Sequence, residues 1–306
     1  MERIRMPNLE NPFLPAINPH AAATEDETIQ WASSFNLIRP ADERRFYTLQ
    51  YGILMGRAYP HAAPEALRVI SDWNTWLFLL DDQCDEAGIG KQPQELTRLH
   101  QRFLKILRGD PPASHDGAAG YALADLCQRL ARLAHPAWTP SFIQSVEHYF
   151  AANVWEAKNR LHRRIPARED YLRQRPFTGG LDMYFHFIAL ARAMPPSYTQ
   201  DHTLYHLARN TNHVICWSND IFSLDKELRS GDVHNLALIL HHELDVSLQT
   251  AVDLVGEQHN AEVYAFRTTE DRVPPDARWF ADGLRSWMRA NMDWSIATAR
   301  YQPGVS

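Results

Sequence analysis

Two polar stretches, each set into an otherwise apolar helical pattern, constrain this chain more than any other feature. The first, Asp81-Asp82-Gln83-Cys84-Asp85-Glu86, follows directly on the aromatic and aliphatic run Trp73 to Leu80. Such a run predicts a buried helix, so its last turn brings carboxylates to the edge of an apolar interior. Asp81 and Asp85 are spaced i, i+4 and Asp82 and Asp85 i, i+3, so on a helix they share a face. Carboxylates that close repel one another and resist burial without a countercharge. A hard divalent cation such as magnesium would supply that countercharge; a solvated acidic helix end would need none.

The second stretch is Asn219-Asp220-Ile221-Phe222-Ser223-Leu224-Asp225-Lys226-Glu227. Asn219, Ser223 and Glu227 stack at i, i+4, i+8 on one helix face. They offer an amide carbonyl, a hydroxyl and a carboxylate, all hard oxygen donors. Lys226 beside them is a point charge suited to phosphate. The polar side of an amphipathic helix reads the same way, but the upstream flank Val214-Ile215-Cys216-Trp217 is apolar. Two oxygen clusters facing one cavity from two helices could hold several magnesium ions against a polyphosphate.

The rest of the chain is helical pattern cut by proline and glycine. Residues 1–22 hold four prolines and read as an extended arm, with residues 23–306 as one domain. Thr24 and Glu27 have capping-box spacing and predict a helix start. Helices follow over Asp42 to Tyr59 and Pro64 to Leu80, with Pro64 at a first helical position. Further helices span Gln94 to Leu107, Ala118 to Ala134 and Phe142 to Arg160, the last restarting after Pro140. A short one over Asp170 to Arg175 is interrupted by Pro176-Phe177-Thr178-Gly179-Gly180 before the pattern resumes from Leu181 to Met194. Proline and glycine inside a helix cost about 3 and 1 kcal/mol, so this break is either an ordinary turn or a helix opened at a cavity. His202 to Arg229, His234 to His242, Val246 to Thr268 and Ala277 to Ala299 complete an all-α pattern of about ten helices.

Composition narrows the partners. A net charge of -6 with a pI near 6.2 argues against a nucleic-acid surface. It also means that an anionic substrate has to be met by metals and a local basic cluster. Cys84, Cys127 and Cys216 have no metal-ligand spacing and suit a reducing cytoplasm. No apolar run approaches the roughly 18 residues of a membrane span, and the N-terminus lacks a secretory h-region.

Asp81-Asp82 with Asp85 resembles the aspartate-rich motif of bacterial class I terpene synthases. Asn219, Asp220, Ser223, Lys226 and Glu227 match that family's second metal motif at every defined position, and Arg300-Tyr301 matches its C-terminal pair. The resemblance runs from about Phe13 to Tyr301. It implies an α-helical bundle around a central apolar cavity, and a magnesium-dependent lyase with three Mg2+ ions. Its substrate would be a prenyl diphosphate, foremost farnesyl diphosphate, cyclised as a carbocation with release of diphosphate. Geranyl and geranylgeranyl diphosphate are the alternatives, and a monomer or homodimer is expected.

By that resemblance Asp81 binds metal most directly, Asp82 and Asp85 close the site, and Asn219, Ser223 and Glu227 hold a further ion. An arginine before the helix break senses diphosphate. Arg175 fits the spacing to Thr178 and Gly179, whereas Arg173 fits the distance to the second motif. Gly179 would present the carbonyl that aids ionisation; Lys226, Arg300 and Tyr301 would complete the diphosphate donors, and an N-terminal arm would close over the mouth. A carbocation also needs a dry aromatic wall, for which Trp76, Phe78, Phe150, Trp155, Phe177, Tyr184, Trp217 and Trp294 are candidates. Two other readings compete. A chain-elongating prenyltransferase would need a second aspartate-rich motif where Asn219 to Glu227 stands, and a non-catalytic ligand-binding module would need no paired oxygen clusters.

Overall fold

The computed structural model describes residues 4–86, 88–195 and 198–301, the side chains of 83–86 excepted. Among these residues it holds thirteen α-helices and no strand. They are α1 (Ala21–Ser34), α2 (Glu43–Leu49), α3 (Tyr51–Ala58), α4 (Pro64–Glu86), α5 (Pro93–Leu107), α6 (Gly117–Leu133) and α7 (Trp138–Leu161). The second half adds α8 (Arg168–Thr178), α9 (Leu181–Leu190), α10 (His202–Ser230), α11 (Leu236–Leu244), α12 (Leu248–Glu270) and α13 (Arg278–Ala297). The long helix α10 packs against α12 and α13, and α4 against α1, α3 and α6. Helix α7 joins the halves through α5, α8 and α9. The result is a ring of helices around a central cavity lined from α3, α4, α7, α8, α9, α10 and α13.

Local departures from the sequence pattern have physical causes. Helix α1 starts at Ala21 with His20 as its cap, and Thr24 and Glu25 lie buried inside it. Glu25 Oε2 accepts the Ile53 N–H at 2.8 Å, satisfying a donor at the start of α3 instead of capping its own helix. The expected single helix from Asp42 to Tyr59 is two, parted at Gln50, whose φ is 56°. That break frees the Leu49 carbonyl, which accepts from Trp294 Nε1 at 2.7 Å and Thr298 Oγ1 at 3.0 Å. Pro140 does not interrupt α7, because it falls in the first turn, where backbone N–H groups have no helical partner anyway.

The described part of the arm, from residue 4 on, lies along α12, α13 and α3 and not over the mouth. The Arg5 N–H bonds to Gln249 and the Glu10 N–H to Asn260, while the Asn11 side chain donates to the Met288 carbonyl. Pro7 packs against Gly256, and the Phe13 ring meets Phe266 edge-on at 5.6 Å. Residues 5–13 thus strap α12 and α13 together, Asn18 bonds to Gly56, Tyr59 and Ala62 at the end of α3, and none of residues 4–20 lines the cavity.

Candidate active site

The central cavity has a volume of about 290 Å³. One part of its lining is charged and comes from Asp81, Arg175, Lys226, Glu227, Asp232, Arg160 and Arg300. The other is apolar and aromatic: Leu54, Leu77, Phe78, Tyr149, Leu181, Tyr184, Ile215, Trp287 and Trp294. Water-excluding and charge-binding surfaces therefore share one space.

Helix α10 supplies the more enclosed half of the charged end. Asn219, Ser223 and Glu227 all line the cavity from its successive turns. Ser223 Oγ donates to Glu227 Oε1 at 2.7 Å, and Asn235 Nδ2 donates to Glu227 Oε2 at 2.6 Å. Burial, with Asp220 nearby, pushes the Glu227 carboxyl up to about 8. Asp220 itself points away from the cavity, with a side chain 0% exposed. It accepts from Arg175 Nε at 2.9 Å, from the Tyr171 hydroxyl at 2.7 Å and from the Leu236 N–H at 2.9 Å. Burial works against the Arg175 charge, but Asp220 holds the guanidinium well above its ordinary range. One carboxylate therefore fixes Arg175 and also caps α11.

Arg175 reaches the cavity on the far side of that pair. Its Nη2 donates to Asn219 Oδ1 at 2.7 Å, and Asn219 Nδ2 donates to the Tyr301 hydroxyl at 2.7 Å. Asn219 thus links Arg175 to the C-terminal segment. Arg173, two residues earlier, is 71% exposed and paired with Asp170. The structure brings Arg175 to the second motif and leaves Arg173 at the surface.

The α4 half is open. The Asp81 and Asp82 side chains are 50% and 34% exposed. Arg300 donates to both Asp82 oxygens, at 3.2 and 3.3 Å, and to the Tyr51 hydroxyl at 2.9 Å. Its guanidinium also sits 4.7 Å from the centre of the Phe78 ring, a cation–π distance. The Asp85 side chain lies outside the described residues.

The helix break is shorter than the sequence suggests. Helix α8 continues through Pro176 to Thr178, and only Gly179 and Gly180 separate it from α9. Asn212 Nδ2 donates to the Pro176 carbonyl at 3.0 Å, so α10 supplies a partner at the end of α8. Gly180 has φ 67°, and a Cβ there would stand 2.9 Å from Met183 and 3.3 Å from Tyr149. At Gly179 a Cβ would meet Cys216 Sγ at 2.9 Å. Both positions exclude a side chain, and Thr178 and Gly179 line the cavity.

Of the expected wall, Phe78, Tyr184 and Trp294 line the cavity. Trp76 instead packs on Trp73 and Phe103 and donates to the Ala119 carbonyl. Phe150 stacks on His100, Phe177 meets His148, Trp217 stacks on His213, and Trp155 faces His234. Successive helix residues diverge by about 100°, so Tyr149 takes the inward position one residue before Phe150. Trp287, one heptad before Trp294 on α13, lines the cavity as well. Its spacing was a visible signal. Arg160, held by Asp232 at 2.8 Å, adds a cation from α7 that no motif marks.

The donor chemistry fits a hard cation. Among the described residues no three of His, Cys, Asp and Glu converge. The α10 set instead mixes one carboxylate with amide and hydroxyl oxygens, and Asn219 Oδ1 keeps a second lone pair beside its bond to Arg175. Glu227 is a buried carboxyl whose hydrogen bonds come from neutral groups. A cation beside it would hold it ionised, and binding would expel its proton.

A helical ring with an aromatic cavity, two oxygen-bearing helices and arginines at one end defines the class I terpenoid synthase architecture. Comparison with known proteins agrees. Residues 72–264 match the family model described as terpene synthase family 2, C-terminal metal binding. The (+)-T-muurolol synthase of Roseiflexus castenholzii is 41% identical, over 95% of this chain and 92% of its own length. Germacrene A synthase of Nostoc punctiforme is 33% identical, over 98% and 96% respectively. A solved cucumene synthase variant has a TM-score of 0.84 at 24% identity, covering 96% of this chain and 100% of its own. An a-eudesmol synthase structure also gives 0.84, at 19% identity, covering 94% and 98%. The chain belongs to the terpene synthase family and is a lyase acting on a prenyl diphosphate.

Proposed function

We propose that this protein is a magnesium-dependent sesquiterpene synthase that ionises and cyclises farnesyl diphosphate. The observation that carries the reading is the single cavity, in which both oxygen motifs and Arg175 and Arg300 meet an aromatic wall. The T-muurolol synthase relative is named as cyclising (2E,6E)-farnesyl diphosphate, which supports the fifteen-carbon substrate. Asn219 and Ser223 stand where a chain-elongating enzyme would need aspartates.

Asp81 and Asp82 on one side and Asn219, Ser223 and Glu227 on the other would hold magnesium, which would supply the positive charge that makes diphosphate a good leaving group. Three ions are expected, with Asp85 closing the set. The protein's own donors do the rest of that work. Arg175, Lys226, Arg300 and Tyr301 hold the leaving group, and their fixed positions avoid reorganisation as charge develops. Thr178 and Gly179 line the cavity at the break between α8 and α9, where the Gly179 carbonyl would meet the growing positive charge. Deeper in, Tyr184, Trp287 and Trp294 keep bulk water out and offer ring faces to the cation. Residues 23–306 act as one domain, as a monomer or homodimer. Among the described residues no helix is long and apolar enough to cross a membrane.

The test is incubation with geranyl, farnesyl and geranylgeranyl diphosphates, with and without magnesium, reading volatile products by mass. A cyclic fifteen-carbon product that vanishes without metal is expected. Longer prenyl diphosphates would instead place the protein among the elongating enzymes.

A further inference from the structure

Asn74 carries an unmet polar group into the apolar wall. It stands two turns before Asp81 on α4, is 1% exposed and lines the cavity. The Tyr184 hydroxyl, also on the cavity, donates to its Oδ1 at 2.8 Å. Its Nδ2 is buried with no hydrogen-bond partner. Turning the amide over exchanges the two ends and still leaves one unmet. Ser71, one turn earlier on the same face of α4, is likewise buried with an unpartnered Oγ. A leucine would fill the Asn74 position without that cost, so the amide needs a use.

The pair has the right parts for one ligand. Asn74 Nδ2 can donate to a water oxygen. Tyr184 Oη has its own proton committed to Asn74, so its lone pairs can accept a water proton. Two polar partners are the minimum that holds a buried water, and its second lone pair would then be open to the cavity. Relatives carry both kinds of product name, muurolol for an alcohol and germacrene A for an olefin.

We propose that Asn74 and Tyr184 hold a water against the cavity wall, and that this water ends the cyclisation, making the product a sesquiterpene alcohol. A lone pair of that water forms the C–O bond to the cationic carbon. The resulting oxonium gives its extra proton to the released diphosphate, so farnesyl diphosphate and water become alcohol and protonated diphosphate. This rests on the farnesyl diphosphate reading above.

The experiment compares wild type, Asn74→Leu and the double variant Asn74→Leu/Tyr184→Phe with farnesyl diphosphate and magnesium in oxygen-18 water. In the wild type the main product should be an alcohol carrying the label. In Asn74→Leu the alcohol share of total product should fall about ten-fold, with olefins in its place. That share is read within each reaction, so a changed rate does not disguise it. The double variant replaces both hydrogen-bonding partners with apolar groups and should show the same loss if the single variant folds poorly. An unchanged alcohol share in the variants, or olefins alone from the wild type, overturns the water site. No consumption of farnesyl diphosphate by the wild type overturns the substrate reading and this one with it.

Discussion

On α10 the polar face lies inside a 29-residue helix, whereas on α4 it occupies the end of a 23-residue one. The α10 set is tied from behind: Asp220, fully buried, grips Arg175, Tyr171 and the start of α11, and Asn235 grips Glu227. The α4 carboxylates are half-exposed, and their cation, Arg300, arrives from the C-terminal segment. Charges in low dielectric with fixed partners interact strongly and need no rearrangement, while solvated ones are screened and adjust at little cost. The difference teaches a division of labour. In the proposed diphosphate site, helix α10 and Arg175 are the half held by buried partners, and the end of α4 with Arg300 is the more exposed half.

The largest expected effects break either half. Asn219→Ala and Asp81→Asn should each lower turnover by roughly 100-fold or more, with helical content by circular dichroism unchanged. Asn219→Ala should be the more severe, because it also unties Arg175 from Tyr301. Retained activity in both would contradict the metal assignment.

Stability should separate the halves next. Removing the buried partner of Arg175 with Asp220→Ala should cost about 3–5 kcal/mol in denaturant unfolding. Asp82→Ala removes a one-third-exposed partner of Arg300, which keeps Tyr51 and Asp81 beside it, and should cost less, about 1.5–3 kcal/mol. Equal losses would erase the distinction between a buried clamp and an adjustable one. Hydrogen exchange gives a smaller but more local readout. Magnesium with inorganic diphosphate should slow exchange at the end of α4 more than in the middle of α10, and the reverse pattern would make α10 the half that moves. Smallest of all, Arg173→Ala should change stability by about 0.5 kcal/mol or less, since its pair with Asp170 is exposed. In the same activity assay Arg175→Ala should abolish turnover and Arg173→Ala should not.

Much of this was readable in the sequence, because the motif residues are polar where a buried helix should be apolar. Asn219, Ser223 and Glu227 share a face by spacing alone, and the structure sets all three on the cavity. The wall was less legible. Phe150 and Trp76 are as aromatic as Tyr149 and Phe78, and only the rotation of each helix decides which of them faces inward. Arg173 and Arg175 differ in the same way, by two residues and about 200° of helix turn. The split at Gln50 has no glycine or proline at it to announce it, and the donors that take up the freed Leu49 carbonyl, Trp294 on α13 and Thr298 just after it, are tertiary. Asp220 and Asn235 work by holding other residues, and nothing local in the sequence reveals a partner 45 positions away.

The most direct test of the two-sided metal site is calorimetric titration of inorganic diphosphate into the protein, with and without magnesium. The wild type should bind only when magnesium is present, and Asp81→Asn and Asn219→Ala should each remove that binding. Diphosphate binding of equal strength without magnesium, or binding that survives both substitutions, would contradict a site built jointly by α4 and α10.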